Sequence, residues 1–457
     1  MQGVCRRWPL VFAGLLVLLA GCATPSGVAP PAAAQAATQP AARQYALVNG
    51  RWFNGTGFEP ATWYSVAGRL TRNPPQGRLE VIDLSRLFIV PPFGEAHNHN
   101  IEGSWNLAPV ADRYLHDGVF YVKIPNNVRE YALVSREVLK GMASPDVVFA
   151  HAGLTGRGGH PILLYEDVLR TSRYEPAVGP LPRGWFENRA YVVIESEHDV
   201  EEKWASVTSG RPDFLKVYLV HSDGEAHART PGTGRTGLDP RLIPAIVAKA
   251  HAMGLQVTAH VETAADFRHA IRAGVDEVAH VPGWLVEQAA DVDRVRLTEA
   301  DARAAAERKV RVVTTTVAGR AMPGAAAHHA YGHQAAQGGH GRPVLEEFVT
   351  QVLKDNLRLL HQAGVSLAIG SDHADTPLAE ALHLHSLDLF DNLTLVKLWC
   401  EATPAAIFPG RAIGRFEEGY EASFLGLGGD PVEDFSQVQN IRIRFKQGVV
   451  VDGHRAQ

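Results

Sequence analysis

The sequence predicts an α/β fold: a (β/α)8 TIM barrel carrying a small β-sandwich built from the N- and C-terminal segments. Three observations predict it. From residue 91 to 404 short apolar runs alternate with helical segments, the pattern of βαβ units on a parallel sheet. Eight such runs can be read, the number that closes this kind of barrel. The flanking stretches, 44–90 and 405–457, instead hold short β-like pieces punctuated by Gly, Asn and Pro. At 457 residues the chain has room for one barrel of roughly 250 residues and a smaller companion.

Taken in order, residues 1–21 read as a targeting segment. Arg6 and Arg7 give a positive start, and Leu10 to Ala20 form an apolar run too short for the roughly 20 residues that span a bilayer. Leu19-Ala20-Gly21-Cys22 follows. It resembles the lipobox of bacterial lipoproteins, which implies cleavage before Cys22 and lipidation of its sulfur and new amino group; a secretory signal with a chance cysteine is the competing reading. Several acyl chains would anchor the protein stably where one would not. Residues 22–43, rich in Ala, Pro, Ser, Thr and Gln, read as a disordered tether. The expected location is the bacterial cell envelope, lipid-anchored on the periplasmic face of the outer membrane, because Ala23 and Thr24 rather than Asp follow Cys22.

Of three cysteines, Cys5 leaves with the signal and Cys22 is lipidated, so Cys400 stands alone as a buried apolar residue and no disulfide is expected. The net charge of −5, with Lys and Arg scattered, offers no basic stripe and excludes nucleic acid as a partner.

YALVNGRWF, YSVAGRL and LEVIDL at one end, with SFLGLG and IRIRFKQGVVVDG at the other, are the pieces expected to pair into the sandwich. Barrel strands are expected at 92–97, 119–124, 147–151, 213–219, 255–260, 276–280, 310–316 and 365–371, with helices such as 239–252, 263–273 and 345–363 between them. The Ala/Gly/His-rich stretch from Pro323 to Pro343 follows the seventh run. A loop over the barrel mouth and a solvated insertion without a catalytic role both fit it, and His328, His329, His333 and His340 could bind metal adventitiously.

Active sites of such barrels gather at the C-terminal ends of the strands. His97 and His99 end the first run, and because residues two apart on a strand share a face, both imidazoles point one way. Lys216 lies on the fourth, His260 ends the fifth, His280 the sixth and Asp372 the eighth. Each has an innocent explanation taken singly: a strand-end histidine in the core, a lysine reaching solvent along its stem, an aspartate capping the next helix. Together they form the donor set of a divalent-metal site.

That order of residues resembles the amidohydrolase superfamily, in its imidazolonepropionase-like and prolidase-like branch. VTAHVETAADFRHAIRAGVDEVAH resembles the branch's strand-helix-strand segment, and EATPAAIFPGRAIGRFEEGYEASFLGLGGDPVED its C-terminal return into the sandwich. The resemblance implies a metal-dependent hydrolase that uses a metal-bridging hydroxide to cleave an amide bond in a small peptide, an N-acyl amino acid or a cyclic amide. It implies two divalent ions, one on His97, His99 and Asp372 and the other on His260 and His280, bridged by a carbon dioxide-derived carbamate on Lys216, with Asp372 as the proton shuttle. Zinc is the expected ion given His and carboxylate ligands; manganese and iron also fit. His160, in GLTGRGGHP, resembles a substrate-contacting histidine of prolidase-like relatives, while a tight turn with an exposed His160 reads equally well. Those relatives carry a tyrosine two residues beyond the fifth-strand histidine that helps hold a substrate carboxylate. Here Glu262 stands there, either turning away substrate carboxylates and favouring cationic groups or simply facing solvent. Deaminases of the superfamily carry Glu three residues beyond that histidine; Thr263 argues against them. An esterase or lactonase with the same site, and a lipid-anchored binding protein without turnover, are the alternatives.

Overall fold

The computed structural model describes residues 43–170, 181–223, 236–284, 289–318, 342–372 and 375–451. The signal segment, Cys22, nearly all of the tether and His328, His329, His333 and His340 lie outside the described residues. Among the described residues no helix is long and apolar enough to cross a membrane.

The N-terminal β-region forms β1 (Tyr45–Phe53), β2 (Phe58–Val66), β3 (Arg69–Thr71), β4 (Glu80–Asp83) and β5 (Phe88–Val90). The central region contributes β6 (Phe93–Glu95), β7 (Val119–Ile124), β8 (Asp146–Phe149), β9 (Gly153–Thr155), β10 (Tyr191–Val193), β11 (Phe214–Tyr218), β12 (Gln256–His260), β13 (Glu277–Ala279), β14 (Arg311–Val313) and β15 (Leu367–Ala368). The chain ends with β16 (Phe424–Leu427), β17 (Ile441–Lys446) and β18 (Val449–Val450).

The two terminal regions meet where β16 runs antiparallel to β5, Leu425 opposite Val90. They share one eight-stranded sheet in the order β18-β17-β16-β5-β1-β2-β3, with β4 against β1. Strands three apart in that order still touch, with the Tyr45 ring of β1 set edge-on to Phe445 of β17 at 5.3 Å. Tyr45, Trp52, Trp63, Phe424 and Phe445 fill the region's apolar core, with Trp52 set edge-on to Phe416 and Phe424 at 4.8 and 5.3 Å.

Each of the eight expected central runs holds a parallel strand. Seven strands pair in the order β10-β9-β11-β12-β13-β14-β15 and three in the order β6-β7-β8. Backbone bonds cross both junctions between these sheets. Asp213 N–H donates to the Phe149 carbonyl (2.9 Å), Ala96 N–H to Ile369 (2.9 Å) and Asp372 N–H to His97 (2.7 Å). The third run is longer than 147–151: it breaks at His151, which sits in the left-handed region at φ 61°, and resumes as β9 with β10 beside it. β9 and β10 lie outside the eight runs read from the sequence.

Parallel strands covered on both faces read as unbroken apolar runs. Accordingly β7, VFYVKI, and β11, FLKVY, are buried at every position, lysines included. The helix Ala264–Ala273 starts at a capping box, in which Thr263 accepts from Asp266 N–H and Asp266 from Thr263 N–H, and stops at left-handed Gly274. Cys400 is buried and free, as expected.

Trp399 fastens the C-terminal helical stretch to β6. Its ring stacks on Phe93 at 3.8 Å, and its indole N–H donates to the Gly94 carbonyl at 3.1 Å. Trp399→Ala would leave both a void and an unpaired carbonyl. Urea denaturation should show a loss of about 3–5 kcal/mol for this variant, with Trp399→Phe losing clearly less.

Candidate metal centre

The centre is built on the seam between β6 and β15. Gly370 permits the close approach, since a Cβ there would stand 2.5 Å from Val313 Cγ1 and 2.9 Å from His97 N. Glu95 then clasps the seam. Its fully buried carboxylate accepts His97 N–H (2.9 Å) and Ser371 N–H (3.0 Å) on one oxygen and meets the Ser371 hydroxyl with the other. Ser371 Oγ in turn accepts from Asn98 (2.9 Å). The backbone at His97 and the residue before Asp372 are thereby tied to one side chain.

Asp372 and His280 occupy the left-handed region, at φ 57° and 77°. Non-glycine residues in that region cost on the order of 1 kcal/mol or more and cluster at functional sites. The turn aims both side chains into one space: donor atoms of His97, His280 and Asp372 lie within 4.8 Å of one another. His99 Nε2 stands 3.3 Å from Asp372 Oδ1 and His97 Nε2 3.7 Å from it. Asp372 therefore does not cap the next helix, Leu378–Ser386, whose N-cap is Pro377. The fifth-strand histidine stands outside that group and touches it by its ring, His260 lying 4.6 Å edge-on from His280.

Second nitrogens of the rings are anchored outward. His280 Nδ1 is 2.8 Å from Thr315 Oγ1, His99 Nδ1 3.4 Å from the Asn126 carbonyl and His260 Nε2 3.4 Å from Glu262 Oε1. An imidazole that gives its one N–H to such a partner presents a lone pair on the opposite nitrogen. Burial pulls His97 and His260 below the ordinary imidazole range, and in His97 the neighbouring Lys216 adds to the effect. Neutral imidazole is the form that ligates.

Lys216 is buried at 1% exposure and does not reach solvent along its stem. Its Nζ has no hydrogen-bond partner among the described residues, and burial pulls it down to about 7. His97 Nδ1 is similarly unsatisfied.

His160 is half-buried rather than exposed, stacked on His260 at 5.0 Å and edge-on to Tyr218 at 5.1 Å. Burial, reinforced by His260, lowers it to about 3. The loop glycines serve the backbone instead, since a Cβ on Gly156 would stand 2.4 Å from the Gly237 carbonyl oxygen. Glu262 does not simply face solvent, because its two oxygens meet His260 and His221. Thr263, the position where deaminases carry an acid, caps a helix.

Sequence reasoning missed Glu95, Ser371, His221, Thr315 and Trp284, which stacks on His280 at 4.3 Å. Only Glu95 left a signal, an acidic residue inside a strand otherwise apolar.

A metal fits this set of residues. Several neutral imidazoles and one carboxylate converge, and a lysine nitrogen buried among them lacks any hydrogen-bond partner among the described residues; such groups are costly to bury unless something binds them.

No family model and no curated protein matches the sequence. Solved structures do resemble it. A prolidase complexed with N-methylphosphonate-L-proline is 21% identical with a TM-score of 0.65, covering 90% of this chain and 99% of its own. Ochratoxinase of A. niger is 17% identical with a TM-score of 0.67, covering 90% and 96%. Phenylurea hydrolase B is 16% identical with a TM-score of 0.64, covering 90% and 97%. At these identities the likeness establishes the fold.

Burial raises the Glu95 carboxyl to about 8, against 4.5 for the unperturbed group. A folded pKa above the unfolded one means that protonation favours the fold. Its contribution is full below about 4.5 and is lost as pH rises through about 8. Urea denaturation of metal-free protein across that range should show wild-type stability falling with pH more steeply than that of Glu95→Gln.

Proposed function

We propose that the chain is a metal-dependent hydrolase of the amidohydrolase superfamily that cleaves an amide bond in a small molecule. The observation that carries this reading is Lys216: a lysine buried without a hydrogen-bond partner among histidines and an aspartate supplied by the ends of separate parallel strands. The hydrogen bonds across both sheet junctions support a closed (β/α)8 barrel over residues 91–404, with 44–90 and 405–457 forming the small β-domain. The similar structures support the chemistry, since a prolidase, an ochratoxinase and a phenylurea hydrolase are among them.

In this reading His97, His99 and Asp372 would hold one divalent ion and His260 and His280 a second. Lys216 would supply a further oxygen donor to them as a carbamate, formed when its neutral amine adds to carbon dioxide and releases a proton. Zinc suits the donors. Bound there, the ions would lower the pKa of water toward roughly 7 and polarise the substrate carbonyl. Asp372 accepts the proton from the attacking water at its carboxylate and hands it to the leaving nitrogen, so the amine departs neutral. His160, stacked beside His260, would donate to the substrate carbonyl, and Trp284, stacked on His280, would shield that side from bulk water. The N-terminal segment would carry a lipid anchor on Cys22 and hold the enzyme in the cell envelope.

Metal analysis of purified protein, joined to a screen of dipeptides, N-acyl amino acids and lactones, tests the proposal. Two equivalents of divalent metal per chain are expected, with turnover that a chelator abolishes and zinc restores. Lys216→Ala should lose the activity, and Asp372→Asn should lower kcat about 100- to 10,000-fold while the denaturation midpoint of the metal-free protein changes little. Near-full activity in Asp372→Asn would remove its assigned role. A metal-loaded protein that hydrolyses none of these substrates would instead support a lipid-anchored binding protein.

A further inference from the structure

Glu262 is committed to protein contacts on both of its oxygens. Oε1 lies 3.4 Å from His260 Nε2 and Oε2 3.1 Å from His221 Nε2. The side chain is 13% exposed and that of His221 17%, so this pair is not a loose surface contact.

Its position is constructed by Asp266, a fully buried residue whose carboxylate accepts N–H groups from two loops at once. From the segment after β11 come His221 N–H (3.1 Å) and Ser222 N–H (2.7 Å); from the segment after β12 come Glu262 N–H (3.2 Å) and Thr263 N–H (2.9 Å). The capping box fixes Asp266 itself. One carboxylate thus sets the separation of His221 and Glu262, and their side chains meet as a consequence.

Ring contacts surround His260 elsewhere, with His280, His160 and Tyr218 at 4.6, 5.0 and 5.5 Å. Glu262 is the hydrogen-bond partner of its ring among the described residues. We propose that Glu262, backed by His221, is a positioning residue for His260: it holds the proton on Nε2 and turns Nδ1 toward the metal centre. This rests on the metal-dependent reading above. A carboxylate is needed because both contacts are donations from imidazole N–H groups. An amide in its place would offer one accepting oxygen and set an NH2 group against the other ring. Carboxylate partners of this kind orient ligating histidines, and their loss typically lowers metal affinity about 10- to 100-fold.

The experiment strips the full chain of metal and titrates it with zinc against a chelating indicator, for wild type, Glu262→Ala, Glu262→Gln and His221→Ala. Wild type should take two equivalents. Glu262→Ala should keep one at wild-type affinity and bind the other about 10- to 100-fold more weakly, with Glu262→Gln intermediate and His221→Ala shifted the same way by less. Glu262→Gln, the isosteric variant, carries the test if Glu262→Ala does not fold. Both equivalents held at wild-type affinity in the Glu262 variants would overturn the inference. If KM for a cleaved amide rose at the same time, Glu262 would be a substrate contact instead. Wild type that binds no zinc would overturn the functional reading itself, a distinct result.

Discussion

An ammonium ion cannot be buried alone in a parallel-sheet core, and the candidate site follows from how this chain meets that constraint twice. Lys123 and Lys216 lie on β7 and β11, both buried. Lys123 takes the ordinary solution, giving 2.7 Å to Glu277 and 3.1 Å to Thr258. Lys216 is given no hydrogen-bonding partner among the described residues. Its charge is therefore unfavourable where it sits, and its pKa falls accordingly. Desolvation costs of several kcal/mol are retained where they serve a function. Charge-pairing at Lys123 also shows that the fold has the means to neutralise a buried lysine, so the isolation of Lys216 is not a general property of this core.

Around that lysine, polar groups with no ligating role bear the geometry. Glu95 binds the backbone at His97 and beside Asp372, Asp266 binds the backbone at Glu262, and Glu380 accepts from Thr316 and Val317 at 2.8 and 2.9 Å beside Thr315, which meets His280. Each is a fully buried carboxylate serving backbone N–H groups at strand ends or loops. Strand ends carry unpaired amides, and a carboxylate satisfies several of them at one point. The consequence is rigidity in the very segments that hold Asp372 and His280 in left-handed backbone.

Legibility in the sequence divides along the same line. The first set, His97, His99, Lys216, His260, His280 and Asp372, was readable because each ends or interrupts an apolar run, and runs are local signals. β7 was legible residue for residue, since all of Val119–Ile124 is buried and unbroken. The clasping carboxylates were not, because Asp266 looks like half of a capping box and Glu380 like a helix surface acid until the opposing loop is in place. The terminal β-region was half legible: composition located the strands, but that β16 pairs with β5 depends on contacts between the two ends of the chain.

The presence of an acid at position 262 bears on which amides the site would accept. In the proposed reading two divalent ions face two anionic donors, Asp372 and the Lys216 carbamate, which leaves the centre net positive and attractive to a substrate carboxylate. Glu262 adds a third negative charge beside His260. Burial opposes that charge, but hydrogen bonds from His221 and His260 outweigh it and hold the carboxyl well below the usual carboxylate range. Burial likewise opposes a charge on His221, and the same contact overcomes it and raises that imidazole; an imidazolium there would cancel part of the negative charge. In the proposed reading the charge of the ions still exceeds that of Asp372, the carbamate and Glu262 together, so Glu262 would weaken the pull on a substrate carboxylate without reversing it.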